Sequence, residues 1–216
     1  SHDLKTPLTI IKSYAELIKD ITGDNKAKRE EQLDVIIDEA KRLTELVNEI
    51  LVVSQQNSTS KLNKTDFDFS ELVESVVKKF DFDNSGYNFR RDVKKGLWVN
   101  ADRHKIEQVL FNFISNAVKY CGKDKEIIIV VKEAGGSARF DVFDHGNGIS
   151  KQEQKYIWDR FSRASQKYKR GDSTGLGLSI VRSILKSHDA VFGVNSAVGK
   201  GSDFYFELPL VEPPQN

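Results

Sequence analysis

The sequence predicts an α-helical hairpin, which forms a four-helix bundle on dimerisation, followed by an α+β sandwich domain. Apolar residues early in the chain recur in steps of 3 and 4, the spacing of a narrow helical seam. After a polar stretch at residues 55–65, the pattern changes to helices mixed with alternating strands. We therefore expect a hairpin over residues 1–57, a linker at 58–66, a second domain at 67–212 and a tail at 213–216.

Two seams define the predicted hairpin. The first comprises Leu4, Leu8, Ile11, Ala15 and Ile18, and the second comprises Leu33, Ile36, Ala40, Leu43, Val47 and Ile50. Because two narrow seams give one hairpin little core, we predict a homodimer in which two hairpins bury both seams. The alternative is a monomeric hairpin packed on the second domain.

The hairpin connection is expected at Thr22–Asn25, because Gly and Asn readily supply a helix C-cap. The second helix is predicted from Arg29 to Gln56. The first reaches only from the start of the sequence to Ile21, so we expect it to continue upstream of Ser1.

The second domain is predicted to alternate helices and strands. Helices are expected at residues 69–82, 102–120, 151–161 and 176–187, and strands at 97–100, 126–132, 138–143, 191–195 and 202–208. Ser70 is a candidate N-cap for the first of these helices. The pair Gly135 and Gly136 predicts a β-hairpin turn between the second and third strands.

Composition narrows the classes of function. The 216 residues are 38% hydrophobic and 30% charged with a formal net charge of +1, which favours neither nucleic acid nor a membrane surface. The one cysteine, Cys121, excludes an internal disulfide and fits a reducing compartment. No apolar run approaches the roughly 20 residues of a membrane span. We expect these residues to contact neither nucleic acid nor membrane.

The first chemical signal is SHDLKTPL at the start of the sequence. The imidazole of His2 is a candidate phosphoryl acceptor, and the carboxylate of Asp3 can accept its proton or orient it. Thr6 lies one helical turn from His2 on the same face, and Pro7 should bend the helix or free a carbonyl. Taken alone, a surface histidine on a helix is usually just solvated.

Two amides and a lysine suggest a magnesium and phosphate site. Asn112 and Asn116 share one face of the predicted helix 102–120, and Lys119 follows one turn later. Amide oxygens with a lysine suit Mg²⁺ that carries a polyphosphate. The alternative is an ordinary polar stripe on an amphipathic helix.

Two glycine motifs follow strand and loop patterns. Asp144 directly follows the predicted strand at 138–143, and Gly146 and Gly148 after it let a flat ligand approach the backbone. The acid could then accept a hydrogen bond from an adenine amine. The segment TGLGLSI opens the helix at 176–187, where exposed N–H groups suit phosphate. The polar stretch before it fits a mobile lid.

In order along the chain, SHDLKTPL, NFISNAVKY, DHGNGI, WDRF and TGLGLSI resemble the H, N, G1, F and G2 boxes of sensor histidine kinases of two-component systems. The resemblance implies a dimerisation and histidine-phosphotransfer domain followed by an ATP-binding domain of the Bergerat type. It implies that His2 is autophosphorylated from ATP and that the phosphoryl group passes to an aspartate of a cognate response regulator. It also implies the cytoplasmic part of a membrane-anchored sensor.

The resemblance assigns a role to each matched position. Asp3 would activate His2, and Thr6 would position water in a phosphatase reaction. The remaining positions would bind the nucleotide. Asn116 and Asn112 would hold Mg²⁺, Lys119 would contact phosphate and Tyr120 would lie beside the nucleotide. Asp144 would accept a hydrogen bond from the adenine amine, Gly146 and Gly148 would leave space for the base, Phe161 would anchor the lid, and Gly175, Leu176 and Gly177 would shape the phosphate end of the site.

Some positions depart from the family pattern. His145 stands where the family commonly has Asn, and Trp158 where Phe is common. Neither removes a group that the mechanism needs. Two other readings stay open: another ATPase of the same nucleotide-binding class, such as a serine-phosphorylating anti-sigma kinase, or a dimerisation module that has lost ATP binding.

Overall fold

The computed structural model describes residues 2–57, 62–83, 86–159 and 177–214. These residues fall into two compact units, the first formed by residues 2–57 and the second by the described residues from 62 onward. Over the described ranges, no helix combines the length and the apolar composition that crossing a bilayer requires.

The first unit is a helical hairpin, as predicted. Helix α1, His2–Leu17, continues as a π-helical turn, Ile18–Thr22, and helix α2 spans Lys26–Asn57. Pro7 lies inside α1, where it cannot donate the usual helical hydrogen bond to the carbonyl of Asp3. The second helix begins at Lys26, about one turn before the predicted start at Arg29.

Gly23 occupies the expected C-cap position, directly after the π-helical turn, whereas the expected C-cap role of Asn25 is wrong. Gly23 keeps helical angles, with φ −57°, and the position requires a glycine, because a Cβ there would lie 2.7 Å from the carbonyl oxygen of Ile18. Asn25 caps the next helix: its Oδ1 accepts a hydrogen bond from the backbone N–H of Lys28 at 3.1 Å. The connection therefore ends the first helix at Gly23 and starts α2 at Asn25.

The second unit contains three helices and seven strands among its described residues. The helices are α3 (Phe69–Asp83), α4 (Arg103–Tyr120) and α5 (Gly177–Ser187). The strands are β1 (Thr65–Asp68), β2 (Asn88–Val93), β3 (Trp98–Ala101), β4 (Glu126–Ala134), β5 (Ser137–Asp144), β6 (Val191–Ser196) and β7 (Ser202–Pro209).

Five strands form a mixed sheet in the order β2-β4-β5-β7-β6, in which only the β2 and β4 pair is parallel. Strands β1 and β3 form a separate antiparallel pair. The predicted hairpin between β4 and β5 is confirmed, and both of its glycines, Gly135 and Gly136, have positive φ.

The helices pack on one face of this sheet, which confirms the α+β sandwich. Ile129 of β4 and Phe140 of β5 are fully buried on that face. Phe113 of α4 meets them through the aromatic rings of β7, with ring centroids 5.4 Å from Phe204 and 6.2 Å from Phe206. This packed core fixes the ends of the strands and helices relative to one another, and some of those ends carry predicted site residues.

Two strands were not predicted, and one expected cap is wrong. Apolar and polar residues do not alternate clearly in strands β1 and β2, and β1 overlaps the predicted linker at 58–66.

Asp68, not Ser70, caps α3, since Asp68 Oδ1 accepts a hydrogen bond from the backbone N–H of Glu71 at 3.1 Å. Ser70 is buried and donates to the carbonyl of Lys94 at 2.7 Å.

The helix predicted at 151–161 is wrong over its described part. Only a 3₁₀ turn, Glu153–Lys155, forms there. The Gln154 side chain donates to the carbonyl oxygen of Ser196 at 2.8 Å, and Trp158 packs into the aromatic core. These tertiary contacts hold the segment in a path that a continuous helix could not follow.

Candidate functional site

The predicted phospho-acceptor motif forms the start of α1. His2 and Asp3 occupy the first turn, and Thr6 follows about one turn later. The Thr6 side chain is exposed, whereas Pro7 is buried. The motif therefore belongs to the hairpin unit, and those predicted nucleotide-binding residues that the structure describes belong to the other unit.

Helix α4 carries four of the predicted site residues. Asn112 and Asn116 are half-buried on its surface, and Lys119 and Tyr120 are exposed at its C-terminal end. The Nδ2 group of Asn112 donates to the carbonyl oxygen of Gln108 at 2.9 Å, which orients the amide and leaves Oδ1 on the other side. The Lys119 ammonium lies 5.8 Å from the centroid of the Tyr120 ring.

Two glycines bring other segments against α4. A Cβ at Gly177, the first residue of α5, would lie 2.9 Å from Asn112 Oδ1. A Cβ at Gly146 would lie 1.9 Å from the carbonyl oxygen of Tyr120, so the loop after β5 touches the end of α4. The structure thus places Gly177 against Asn112 and Gly146 against Tyr120, at two positions along α4.

Asp144 is the buried carboxylate of this region. It ends β5 with only 6% of its surface exposed, and its Oδ1 accepts a hydrogen bond from the N–H of Gly146 at 2.8 Å. Burial raises the pKa of this carboxyl, while hydrogen bonds from the backbone of Gly146 and Ser202 oppose that rise. A carboxylate held in this way can accept a hydrogen bond from a donor group on a flat ligand.

Further glycines shape the same loop. Gly148 has φ +67°, and a Cβ there would meet the carbonyl oxygen of Ala197 at 1.9 Å. Gly201 was not predicted as a site residue, yet a Cβ there would lie 1.8 Å from the carbonyl oxygen of Asp144. The sequence indicated a turn at Gly199–Gly201 between the predicted strands at 191–195 and 202–208, but an ordinary hairpin has the same pattern.

Gly122 was also missed. It follows α4, and a Cβ there would lie 2.4 Å from the carbonyl oxygen of His145. The end of α4 and the turn after it are therefore in close contact with His145 and Gly146, the two residues that follow Asp144. Nothing in the local pattern around Gly122 distinguishes it from any other turn glycine.

Three predicted residues, Phe161, Gly175 and Leu176, lie outside the described residues. The described part of the WDRF motif places Trp158 in the core, with its ring centroid 5.1 Å from that of Phe192 and 6.1 Å from that of Phe204. Trp158 thus fixes the chain at the start of the segment that Phe161 was expected to anchor.

Family comparisons give the same two-part division. Residues 1–59 match the model of the His Kinase A (phospho-acceptor) domain, and residues 101–212 match that of the Histidine kinase-, DNA gyrase B-, and HSP90-like ATPase. The chain belongs to the sensor histidine kinase family.

Named sensor kinases align along nearly all of the chain. The signal transduction histidine-protein kinase ArlS of Staphylococcus epidermidis is 33% identical over 98% of this chain and 47% of its own length. The sensor protein kinase WalK of Staphylococcus aureus is 31% identical over 97% of this chain and 52% of its own length. The chain therefore spans about half the length of the curated kinases that it matches.

Solved histidine kinases share the fold. The kinase ThkA, in a structure described as a complex with the response regulator protein TrrA, aligns with a TM-score of 0.76 at 25% identity, covering 97% of this chain and 59% of that one. The kinase AdeS of Acinetobacter baumannii aligns with a TM-score of 0.74 at 24% identity, covering 98% and 99%.

Proposed function

We propose that this chain binds ATP, phosphorylates its own His2 and passes the phosphoryl group to an aspartate of a response regulator. The observation that carries the proposal is the buried Asp144 carboxylate, which Gly146 holds beside the end of α4. The kinase family to which the chain belongs supports the same reaction.

At the base end, Asp144 would accept a hydrogen bond from the exocyclic amine of adenine. A carboxylate reads a donor, so a base that presents a carbonyl at that position would be rejected. Gly146 and Gly148 leave the backbone open to the flat ring, and Tyr120 would lie beside it. Removing the Asp144 charge should therefore weaken ATP binding without unfolding the domain.

At the phosphate end, Asn116 and Asn112 would hold Mg²⁺ through their side-chain oxygens. The orientation of Asn112 fits this role, because its Nδ2 is bonded to the backbone and its Oδ1 faces the start of α5. Mg²⁺ supplies charge neutralisation between the phosphates. Lys119 adds a positive charge, and Gly175, Leu176 and Gly177 would bring the N-terminal N–H groups of α5 to the phosphates.

The separation along α4 suits one elongated ligand. Asn112 and Tyr120 are eight residues apart, which is roughly 12 Å along a helix. One end of α4 contacts the loop that carries Asp144, and Asn112 contacts the start of α5. A nucleotide lying along α4 would place its base and its phosphates at these two positions.

In the hairpin, a ring nitrogen of His2 would attack the γ-phosphorus of ATP as ADP leaves and Asp3 takes the ring proton. The product is a phosphoramidate, from which an aspartate of the regulator can take the phosphoryl group. Thr6, exposed one turn further along α1, would position water for the reverse phosphatase reaction.

We propose that the chain acts as a homodimer in the cytoplasmic part of a membrane-anchored sensor. Leu8, Leu33 and Ile37 support dimerisation, because each leaves about half of its surface exposed in the single hairpin. The family match to the His Kinase A domain supports it as well.

The test is incorporation of label from γ-labelled ATP, with ATP affinity measured in parallel. The unsubstituted chain should acquire an acid-labile, alkali-stable label that His2→Gln abolishes and that His104→Gln, a change in an exposed histidine of α4, retains. Asp144→Asn should weaken ATP binding at least tenfold, or about 1.4 kcal/mol, while the exposed Asp92→Asn should not.

Two outcomes would contradict the proposal. Acid-stable label on serine would indicate a serine kinase of the same nucleotide-binding class. Unchanged ATP affinity in Asp144→Asn would show that the buried carboxylate does not read the base.

A further inference from the structure

Three potential metal ligands meet at the sheet end beside the loop that follows β5. Asp124 precedes β4, Glu126 is the first residue of β4, and His145 follows the last residue of β5. Ile127 pairs with Asp144 across the two strands, which brings Glu126 and His145 together at the same end of the sheet. Their side chains converge although they come from segments about twenty residues apart.

The donor atoms are close enough to share one ion. His145 Nδ1 lies 2.6 Å from Asp124 Oδ2 and 3.8 Å from Glu126 Oε2. One donor atom from each of the three residues falls within 4.8 Å of the other two. Ligands bound at about 2.1 Å around a tetrahedral ion are separated by roughly 3.4 Å, so small side-chain shifts would suffice.

Other contacts orient both carboxylates. Glu126 Oε1 lies 3.6 Å from the guanidinium of Arg90 and accepts a hydrogen bond from the side-chain amide of Asn88 at 3.4 Å. The other oxygen, Oε2, faces the imidazole of His145. Asp124 Oδ1 accepts from the backbone N–H of Glu126 at 3.3 Å, which leaves Oδ2 toward the imidazole. Partners of this kind fix ligand direction in metal sites.

We propose that Asp124, Glu126 and His145 bind a divalent transition-metal ion of the Zn²⁺ class. One imidazole nitrogen with two carboxylate oxygens suits Zn²⁺, Co²⁺ or Ni²⁺, whereas Mg²⁺ prefers oxygen ligands alone. The ion would take the place of the contact between His145 Nδ1 and Asp124 Oδ2. The remaining coordination positions would be open to water.

This site is separate from the magnesium position proposed on Asn112 and Asn116. It uses the turn after α4, where Gly122 already lies against the carbonyl oxygen of His145. A bound ion would add a second tie between that turn and the loop that begins at Asp144. Metal binding here does not depend on the proposed kinase reaction, so the two can fail independently.

The experiment is calorimetric titration of ZnCl₂, and of CoCl₂ with its visible spectrum, into the chelator-treated chain at pH 7.5 without nucleotide or Mg²⁺. We expect one equivalent to bind, with His145→Asn, Asp124→Asn and Glu126→Gln each weakening affinity at least tenfold. His104→Asn is the matched control, an exposed histidine outside the cluster, and should bind like the unsubstituted chain. Lowering the pH to 5.5 should also weaken binding at least tenfold, because the metal competes with the imidazole proton.

Two results would overturn the inference. Equal affinity in His145→Asn and in the unsubstituted chain would place the ion elsewhere, for example on one of the other three of the four histidines. Absence of binding by the folded chain would leave the cluster as an ordinary ion pair. Thermal unfolding of each variant shows whether a lost site reflects a lost fold.

Discussion

At the scale of single residues, His188 joins two parts of the second unit. It is 5% exposed, its Nε2 accepts a hydrogen bond from the backbone N–H of Asp102 at 3.0 Å, and its Nδ1 lies 2.8 Å from the carbonyl oxygen of Ile184. This pattern fixes a neutral ring with the proton on Nδ1. Burial lowers the pKa of the imidazole from 6.5.

The lowered pKa of His188 predicts a pH dependence of stability. Below pH 6.5 the unfolded chain binds a proton that the folded chain resists, so the free energy of unfolding should fall as the pH drops from 6.5 toward the folded-state pKa. The loss is at most about 1.4 kcal/mol per pH unit for one proton. Urea unfolding from pH 7.5 to 5.0 measures it.

The matched variants are His188→Gln, which does not titrate, and His104→Gln, which changes an exposed histidine. We expect the first to be less stable at pH 7.5 and to show a shallower decline with acid, and the second to follow the unsubstituted chain. An identical acid profile in His188→Gln would mean that other groups cause the decline.

At the scale of elements, Asp102 sets the position of α4 and hence of the residues proposed to bind nucleotide. Its Oδ1 accepts from the N–H of Lys105 at 3.2 Å, the N-cap hydrogen bond of α4. Its Oδ2 accepts from the N–H of Asn63 at 3.2 Å, just before β1. One carboxylate therefore starts the helix and ties the incoming chain to it.

Asp102→Ala should lower the free energy of unfolding by about 1 to 2 kcal/mol, the usual cost of a lost N-cap with some addition for the second contact. Chemical denaturation of the chain checks this value. Asp92→Ala, at an exposed position of the edge strand β2, should change stability by less than about 0.5 kcal/mol. A loss no larger than that of Asp92→Ala would show that the cap is dispensable.

At the scale of the whole molecule, the hairpin cannot cover its own apolar side chains. Leu8 is 52% exposed and Ile37 is 49% exposed. A second hairpin offers a matching face, since a two-fold pairing brings the same patch from each copy together.

Ile37→Glu should shift the chain from dimer to monomer, raising the dimer dissociation constant at least tenfold, because a buried charge would replace apolar contact. Analytical ultracentrifugation over a concentration series measures the change. Lys28→Glu, at an exposed position of the same helix, is the control and should leave the dimer intact. A monomeric unsubstituted chain at high concentration would contradict the proposed assembly.

Part of the candidate site could be predicted from the sequence, because its most distinctive residues lie close together along the chain. Asn112 and Asn116 lie on one helix, and the Asp144 motif follows its strand directly, so period and spacing were enough to place them. Gly122 and Gly201 could not be found in this way. Each matters because a distant carbonyl oxygen leaves no room for a Cβ: a Cβ at Gly122 would lie 2.4 Å from the carbonyl oxygen of His145, and one at Gly201 would lie 1.8 Å from that of Asp144.

The helical hairpin, the α+β class and most strand and helix bounds could be predicted from the sequence, since each depends on a repeat of two or of about 3.6 residues. Contacts in the folded domain were needed to show that β2 runs parallel beside β4, that Trp158 packs in the core where a helix was predicted, and that His145 faces Asp124. Those features depend on contacts between segments far apart in the chain. No local periodicity records them, because the energy that selects them arises only when the core is packed.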